Sequence, residues 1–206
     1  MARGGTGTKG VPRDVREGQI VEVAAAHFDR DGYAHVSMNA IAAAAGISKP
    51  LIYEYFGSKD ELYAACVRAA GERLVTAVSG AAEASVATDA TTTRALTTLR
   101  AIFDSLEEHR HDWGLIYDAS VPASTSAHAL VARYRRRLNE YGFAGTAEST
   151  AGRRDPLDQS LMTHLWFGIL AVAMRWWHDH PDETAATMTA RCQRILQSLS
   201  EEGSRE

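Results

Sequence analysis

Cysteine is nearly missing from this 206-residue chain: Cys66 and Cys192 are far apart and fit no metal-binding or redox spacing. Such usage excludes a disulfide framework and reads as reduced thiols in a cytosolic protein. Lysine is scarcer than expected, with Lys9, Lys49 and Lys59 the only three, and the net charge is −4. A broadly basic chain that grips nucleic acid by charge alone is thereby excluded. Long hydrophobic runs are missing too. The most apolar stretch, 161–177, is interrupted by His164, Gly168 and Arg175, and it falls short of the roughly 20 residues that a membrane helix needs. No apolar signal core stands at the N-terminus, where Gly4, Gly5, Gly7 and Gly10 with Arg3 and Lys9 predict a flexible tail over 1–12. Cytoplasmic localisation with no membrane partner is the expectation. No nucleophile elbow, phosphate-binding glycine loop or zinc-ligand spacing occurs, so neither an enzyme nor a cofactor is expected.

Period-two alternation is almost absent as well, while helical spacing recurs throughout, which predicts an all-α fold. Ile20, Ala24 and Phe28 form one stripe of a first helix, Arg13 to Arg30, ended by Asp31-Gly32. A long helix is expected from Lys59 to about Ser79, then a loop over 80–92 that lacks large side chains. Further helices are expected near 93–108, 112–119 and 124–141, followed by a glycine-containing loop over 142–156. The last two helices are expected at 157–179 and 182–200, separated by Pro181.

Residues 37–62 carry the densest information. They read as two short helices hinged at Gly46, with a third starting at once. Ser37 can cap the first, whose inward positions are Ile41, Ala44 and Ala45; Ser48 can cap the second, which buries Ile52 and Phe56 at i, i+4. Ser58 and Glu61 are spaced as a capping box at the start of the third. Lys49, Tyr53 and Glu54 face outward. Two tightly joined helices, the second with a polar and aromatic outer face, match a helix-turn-helix that places its second helix in a DNA major groove. The supply of charge is modest: residues 1–62 hold seven Lys/Arg against eight acids.

The stretch resembles the DNA-binding domain of the TetR family of bacterial regulators. The likeness rests on Ile20-Val-Glu-Val-Ala-Ala-Ala-His-Phe28, Asp31-Gly32-Tyr33, and the Ile-Ala-x-x-Ala-Gly-Ile-Ser and Tyr-x-Tyr-Phe-x-x-Lys-x-x-Leu patterns, over residues 13–64. It implies a three-helix DNA-binding domain (13–58) followed by a helical bundle for ligand binding and dimerisation (59–206). It also implies phosphate contacts from Tyr53, Tyr55 and Lys59, and base-edge contacts from Lys49, Pro50, Leu51 and Glu54. Asn39 is a candidate for base or backbone, and Ser37 and Ser48 sit at helix N-termini where a phosphate can be met. Glu54 could equally be a solvated residue, and the two serines caps alone.

The helix at 157–179 carries two apolar stripes, Leu161, Leu165, Ile169, Val172 and Trp176 on one and Met162, Trp166, Leu170, Ala173 and Trp177 on the other. A helix apolar nearly all round must be covered on more than one side, by a second subunit or as the centre of a monomeric bundle. The TetR resemblance implies a homodimer through the last two helices, with Leu165, Ile169, Val172, Trp176, Arg191, Ile195 and Leu199 at the interface. It further implies a repressor on a palindromic operator, released by a small molecule. Candidate ligand-lining residues are Phe103, Trp113, Ile116, Tyr117, Tyr134, His164 and Phe167, all equally compatible with an ordinary core. An apolar or aromatic effector is expected; the alternative is a TetR-like DNA-binding protein that is constitutive or controlled by a protein partner. His109-Arg-His111 and His178-Asp-His180-Pro-Asp-Glu183 are not assigned as metal sites, because i and i+2 side chains on one helix diverge.

Overall fold

The computed structural model describes residues 11–85, 91–149 and 155–202. Among these the chain is all-α, with no strand, and the helices run α1 (Arg13–His35), α2 (Met38–Ala44), α3 (Lys49–Phe56), α4 (Lys59–Ser85), α5 (Thr91–Leu106), α6 (His111–Tyr117), α7 (Ser126–Ser149), α8 (Pro156–His178) and α9 (Ala185–Glu202). The first three bury Ile20, Ala24, Phe28, Ile41, Ile52 and Phe56 in one cluster closed by Leu62 and Tyr63 at the start of α4. Within α2 the inward set is Met38, Ile41 and Ala42, with Ala45 half-buried; Ala44, expected inside, faces solvent. The register is set by the turn at Gly32, whose φ of 74° breaks the helical path inside α1 where Asp31-Gly32 was expected to end it.

Central to the molecule is α4, which touches α1, α5, α6 and α7. Its buried face runs through Leu62, Cys66, Ala70, Leu74 and Val78 to Ala81. Burial drives the Cys66 thiol pKa upward, so this cysteine is a small core residue. Arg73 on α4 donates from Nε and Nη2 to the two carboxylate oxygens of the fully buried Asp112 on α6, at 2.6 and 2.8 Å. The Tyr63 hydroxyl donates to the Leu115 carbonyl (3.1 Å) and lies 3.3 Å from Asp118 Oδ2, which also accepts the Tyr33 amide (3.0 Å). Phe28, Tyr33 and Tyr63 stack and cross edge-on around that junction.

Two expected loops are shorter than the sequence suggested. The loop over 80–92 is invaded from both sides: α4 continues to Ser85 and α5 begins at Thr91, with 86–90 outside the described residues. Small residues there suggest irregular chain, yet alanine is the strongest helix former and Val78 and Ala81 extend the buried stripe. The loop over 142–156 is likewise cut back, since α7 reaches Ser149, and 150–154 lie outside the described residues. Gly142 does not stop the helix. It is the place where the Phe167 ring of α8 comes so close that a Cβ would collide with it. The tail expected over 1–12 falls, through residue 10, outside the described residues.

Gly71 serves the same purpose at the α4–α7 crossing, where a Cβ would fall within the Tyr134 ring. Gly71→Ala is therefore expected to lower the unfolding free energy by about 1–3 kcal/mol through overpacking. Gly80→Ala on the same helix, with open space around it, is expected to be neutral or stabilising by about 0.5–1 kcal/mol. Urea denaturation of both variants tests this; equal, benign effects would refute the close α4–α7 crossing.

Candidate nucleic-acid interface

The turn between α2 and α3 is built by backbone bonds that wrap the end of α2: the Ala45 amide to Ile41 O (2.8 Å), Gly46 to Ala43 O (3.2 Å) and Ile47 to Ala42 O (3.0 Å). Gly46 holds a φ of 66°, the left-handed geometry that ends a helix at minimal cost. Each following helix starts at a serine. Ser37 Oγ accepts the Ala40 amide (3.2 Å), Ser48 Oγ the Leu51 amide (3.4 Å) and Ser58 Oγ the Glu61 amide (3.1 Å). Only half of the expected capping box forms, because the Ser58 amide donates to the Phe56 carbonyl (2.6 Å).

With Ile52 and Phe56 buried, α3 turns Lys49, Pro50, Tyr53 and Glu54 to solvent, and Ser37, Asn39 and Ser48 are exposed beside them. Leu51 and Tyr55 are half-buried. Lys49 has no partner among the described residues and presents a free ammonium at the N-terminus of α3. Lys59 is engaged differently: its Nζ sits 4.6 Å from the centre of the Tyr33 ring and donates to the Ala34 carbonyl at 3.4 Å. Partial burial lowers its pKa. Arg13, at the first turn of α1, places its guanidinium 4.8 Å from the centre of the Tyr55 ring. The sequence reading missed both aromatic partnerships, since neither contact has a local spacing signature. Arg30 adds little free charge, being bonded to Asp31 at 2.6 and 2.9 Å. The modest cation supply is thus concentrated: Lys49, Lys59 and Arg13 border α3.

At the other end, α8 divides along its two stripes except at Met162, which is exposed although it falls on the inward one. Leu170, Met174 and Trp177 are buried, while Leu161, Leu165, Ile169, Val172 and Trp176 lie open, Val172 at 70% exposure. Ile195 of α9 is also exposed, and Arg191 lies over the Trp176 ring (5.5 Å) while paired with Glu183 at 2.6 Å. Leu199 lies outside the residues whose side chains are described.

The seven candidate ligand-lining residues differ in burial among the described residues. Phe103, Ile116 and Tyr134 are closed core: Phe103 meets Trp177 edge-on at 5.3 Å and Tyr134 fills the space over Gly71. Phe167 is half-buried over Gly142, and His164 is exposed, bonded to the Ser160 carbonyl. Trp113 and Tyr117 stack at 4.4 Å, half-buried, with burial raising the Tyr117 pKa to about 12. A core aromatic and a pocket aromatic share one sequence pattern, so spacing alone does not separate them. An open cleft of about 550 Å³ runs instead along α7, lined among others by His128, Val131, Arg135, Asn139 and Phe143.

Residues 20–66 match the model of the bacterial regulatory proteins of the tetR family. Over that segment the chain is similar to the family. Members of that family are bacterial regulatory proteins. A curated relative, the HTH-type transcriptional activator FasR of Mycolicibacterium smegmatis, is 36% identical over 108 residues, 52% of this chain and 48% of the relative. The match thus spans about half the length of that curated relative. Among solved structures, a TetR-like transcriptional regulator from Rhodococcus sp. RHA1 superposes with a TM-score of 0.65 at 26% identity, covering 93% of this chain and 99% of that one. The ketosteroid transcriptional regulator KstR2 of Mycobacterium tuberculosis shares the fold, with a TM-score of 0.72 at 21% identity over 89% of this chain and 92% of that one.

Lys59→Ala is expected to weaken binding to TetR-type operator and random DNA alike, and to reduce the slope of log K against log salt by about 1, as for one lost phosphate contact. Fluorescence anisotropy across a salt series measures both; unchanged binding to random DNA would remove Lys59 from the phosphate contacts.

Proposed function

We propose that the chain is a cytoplasmic, dimeric transcriptional regulator that reads a palindromic operator with one α3 from each subunit. The observation that carries this is the exposed outer face of α3. There Lys49, Pro50, Tyr53 and Glu54 stand clear of the core that Ile52 and Phe56 anchor. Lys49 suits guanine O6 or N7, Glu54 suits cytosine N4, and Pro50 or Leu51 suits a thymine methyl. Asn39 supplements the base or backbone contacts. Ser37, Ser48, Tyr53, Tyr55 and Lys59 hold the phosphates, three of them at helix N-termini. The domain division that follows is a tail over 1–12, a DNA-binding unit over 13–58, and a ligand-binding and dimerisation unit over 59–206.

The uncovered stripe of α8 supports the dimer. Leu165, Ile169, Val172 and Trp176, with Arg191 and Ile195 of α9, form the exposed patch proposed for a two-fold interface, and Leu199 is assigned to it from the sequence alone. A two-fold then sets the recognition helices about 34–36 Å apart, one helical turn of DNA.

Repression is the simplest output, since a dimer seated on a promoter blocks it; FasR, however, is named an activator. A reporter under the protein's own promoter reads the sign. For the effector, an apolar or aromatic molecule in the α7 cleft fits its Val131 and Phe143 walls, with Arg135 and Asn139 as polar handles. One observation favours the rival reading of a constitutive or partner-controlled regulator: Phe103, Ile116 and Tyr134 close the interior without a ligand.

Leu165→Asp combined with Val172→Asp is expected to give a folded monomer that loses operator affinity by at least about 100-fold, because each half-site alone lacks the linked second contact. Light scattering and anisotropy on whole and half operators check this. A variant that stays dimeric would overturn the α8 interface, and a monomer with intact operator affinity would overturn palindrome reading.

A further inference from the structure

Three metal-ligating side chains meet where α1 crosses the start of α6. Glu22 comes from the middle of α1, His109 from the connection after α5, and His111 from the first position of α6. Their donor atoms, a carboxylate oxygen and two ring nitrogens, all lie within 4.8 Å of one another. Glu22 Oε1 is 3.2 Å from His109 Nδ1 and 3.3 Å from His111 Nε2. His109 and His111 were expected to diverge as i, i+2 residues of one helix. They do not share a helix, since His109 precedes α6, and the bend in the connection aims both rings at the same oxygen.

The two separations from Glu22 Oε1 match edges of a coordination polyhedron. Zinc takes imidazole nitrogen at about 2.0–2.1 Å and carboxylate oxygen at about 2.0–2.2 Å, so a tetrahedral edge between two donors is roughly 3.3–3.4 Å. His111 supplies a second, separate indication. Its Nε2 is buried and makes no hydrogen bond, although Glu22 Oε1 and Asp112 Oδ1 stand 3.3 and 3.6 Å away. A buried ring nitrogen without a bond costs free energy that a metal ion would recover. Asp112 is held by Arg73 through both oxygens, which leaves Glu22 as the carboxylate ligand.

We propose that Glu22, His109 and His111 form a binding site for a divalent transition-metal ion of the zinc class. Three protein ligands leave the fourth position to water or an incoming donor, and imidazole with carboxylate selects this class over magnesium or calcium. With one ligand on α1 and two at the head of α6, the bound ion staples the two helices. This inference is independent of the DNA-reading proposal, because uptake is measured on the protein alone.

The test is titration of the full-length chain with Co2+, followed by Zn2+ competition against a chromophoric chelator. One equivalent of Co2+ is expected to give the visible absorption of a tetrahedral site. His109→Ala, which alters a part-exposed residue outside any helix, and Glu22→Gln are each expected to weaken binding by at least about tenfold, no less than the loss of a supporting partner costs. His180→Ala, in the other histidine pair, is expected to bind as the parent does. Zn2+ should also raise the Tm of the parent but not of Glu22→Gln, since only a folded site couples binding to stability. Absence of the tetrahedral absorption, or unchanged affinity in correctly folded His109→Ala and Glu22→Gln, would overturn the site.

Discussion

Asp112 has no exposed surface, and its carboxylate is tolerable there because Arg73 meets both oxygens from the neighbouring helix. Removing one partner of such a pair strands a buried charge, a cost of about 3–5 kcal/mol, whereas replacing both by apolar groups can be neutral. The pair therefore does less for total stability than for position: it fixes where the short α6 sits along α4. Much else is referred to that placement. Leu115 and Asp118 of the same segment receive the Tyr63 hydroxyl, and Asp118 also receives the Tyr33 amide at the end of α1. The turn that orients α2 and α3 is thus indexed to the interior through α6.

The recognition unit is held by contacts of very different range. Its caps are local, three residues apart, and its hydrophobic staples are one helical turn apart. The braces that fix its outer edges come from afar in sequence: Arg13 reaches Tyr55, and Lys59 reaches the Tyr33 ring and the Ala34 carbonyl. Cations that stack on tyrosine are oriented before any DNA arrives, which reduces the side-chain ordering cost of binding.

This division of range accounts for what was legible in the sequence. The all-α fold, the Gly46 turn, the serine caps and the division of α8 into two stripes all arise from short-range periodicity, and each could be read directly. Helix ends in the small-residue segments could not. Alanine at 81, 82 and 84 reads as featureless although it prolongs α4, and Gly142 reads as a break although it admits a neighbouring ring. Aromatic residues on the middle helices defeated the reading for another reason. Whether Phe103 or Tyr134 faces a void or a partner is decided by helices far away in the chain, and their own spacing is identical in both cases. His109 and His111 show the same limit, since their convergence on Glu22 needs a bend and a crossing that no local pattern announces.

The two faces of α8 are opposite sides of one rigid rod. Leu170, Met174 and Trp177 are gripped by the interior, Trp177 through its indole bond to the Glu183 carbonyl at 2.7 Å and the Arg110 guanidinium over its ring. Val172 and Ile169 ride on the far side, about 10 Å away across the helix diameter. A rod cannot turn on one side and stay still on the other. Any repacking that rolls the gripped face therefore reorients the open stripe by the same angle, without a relay of intervening side chains.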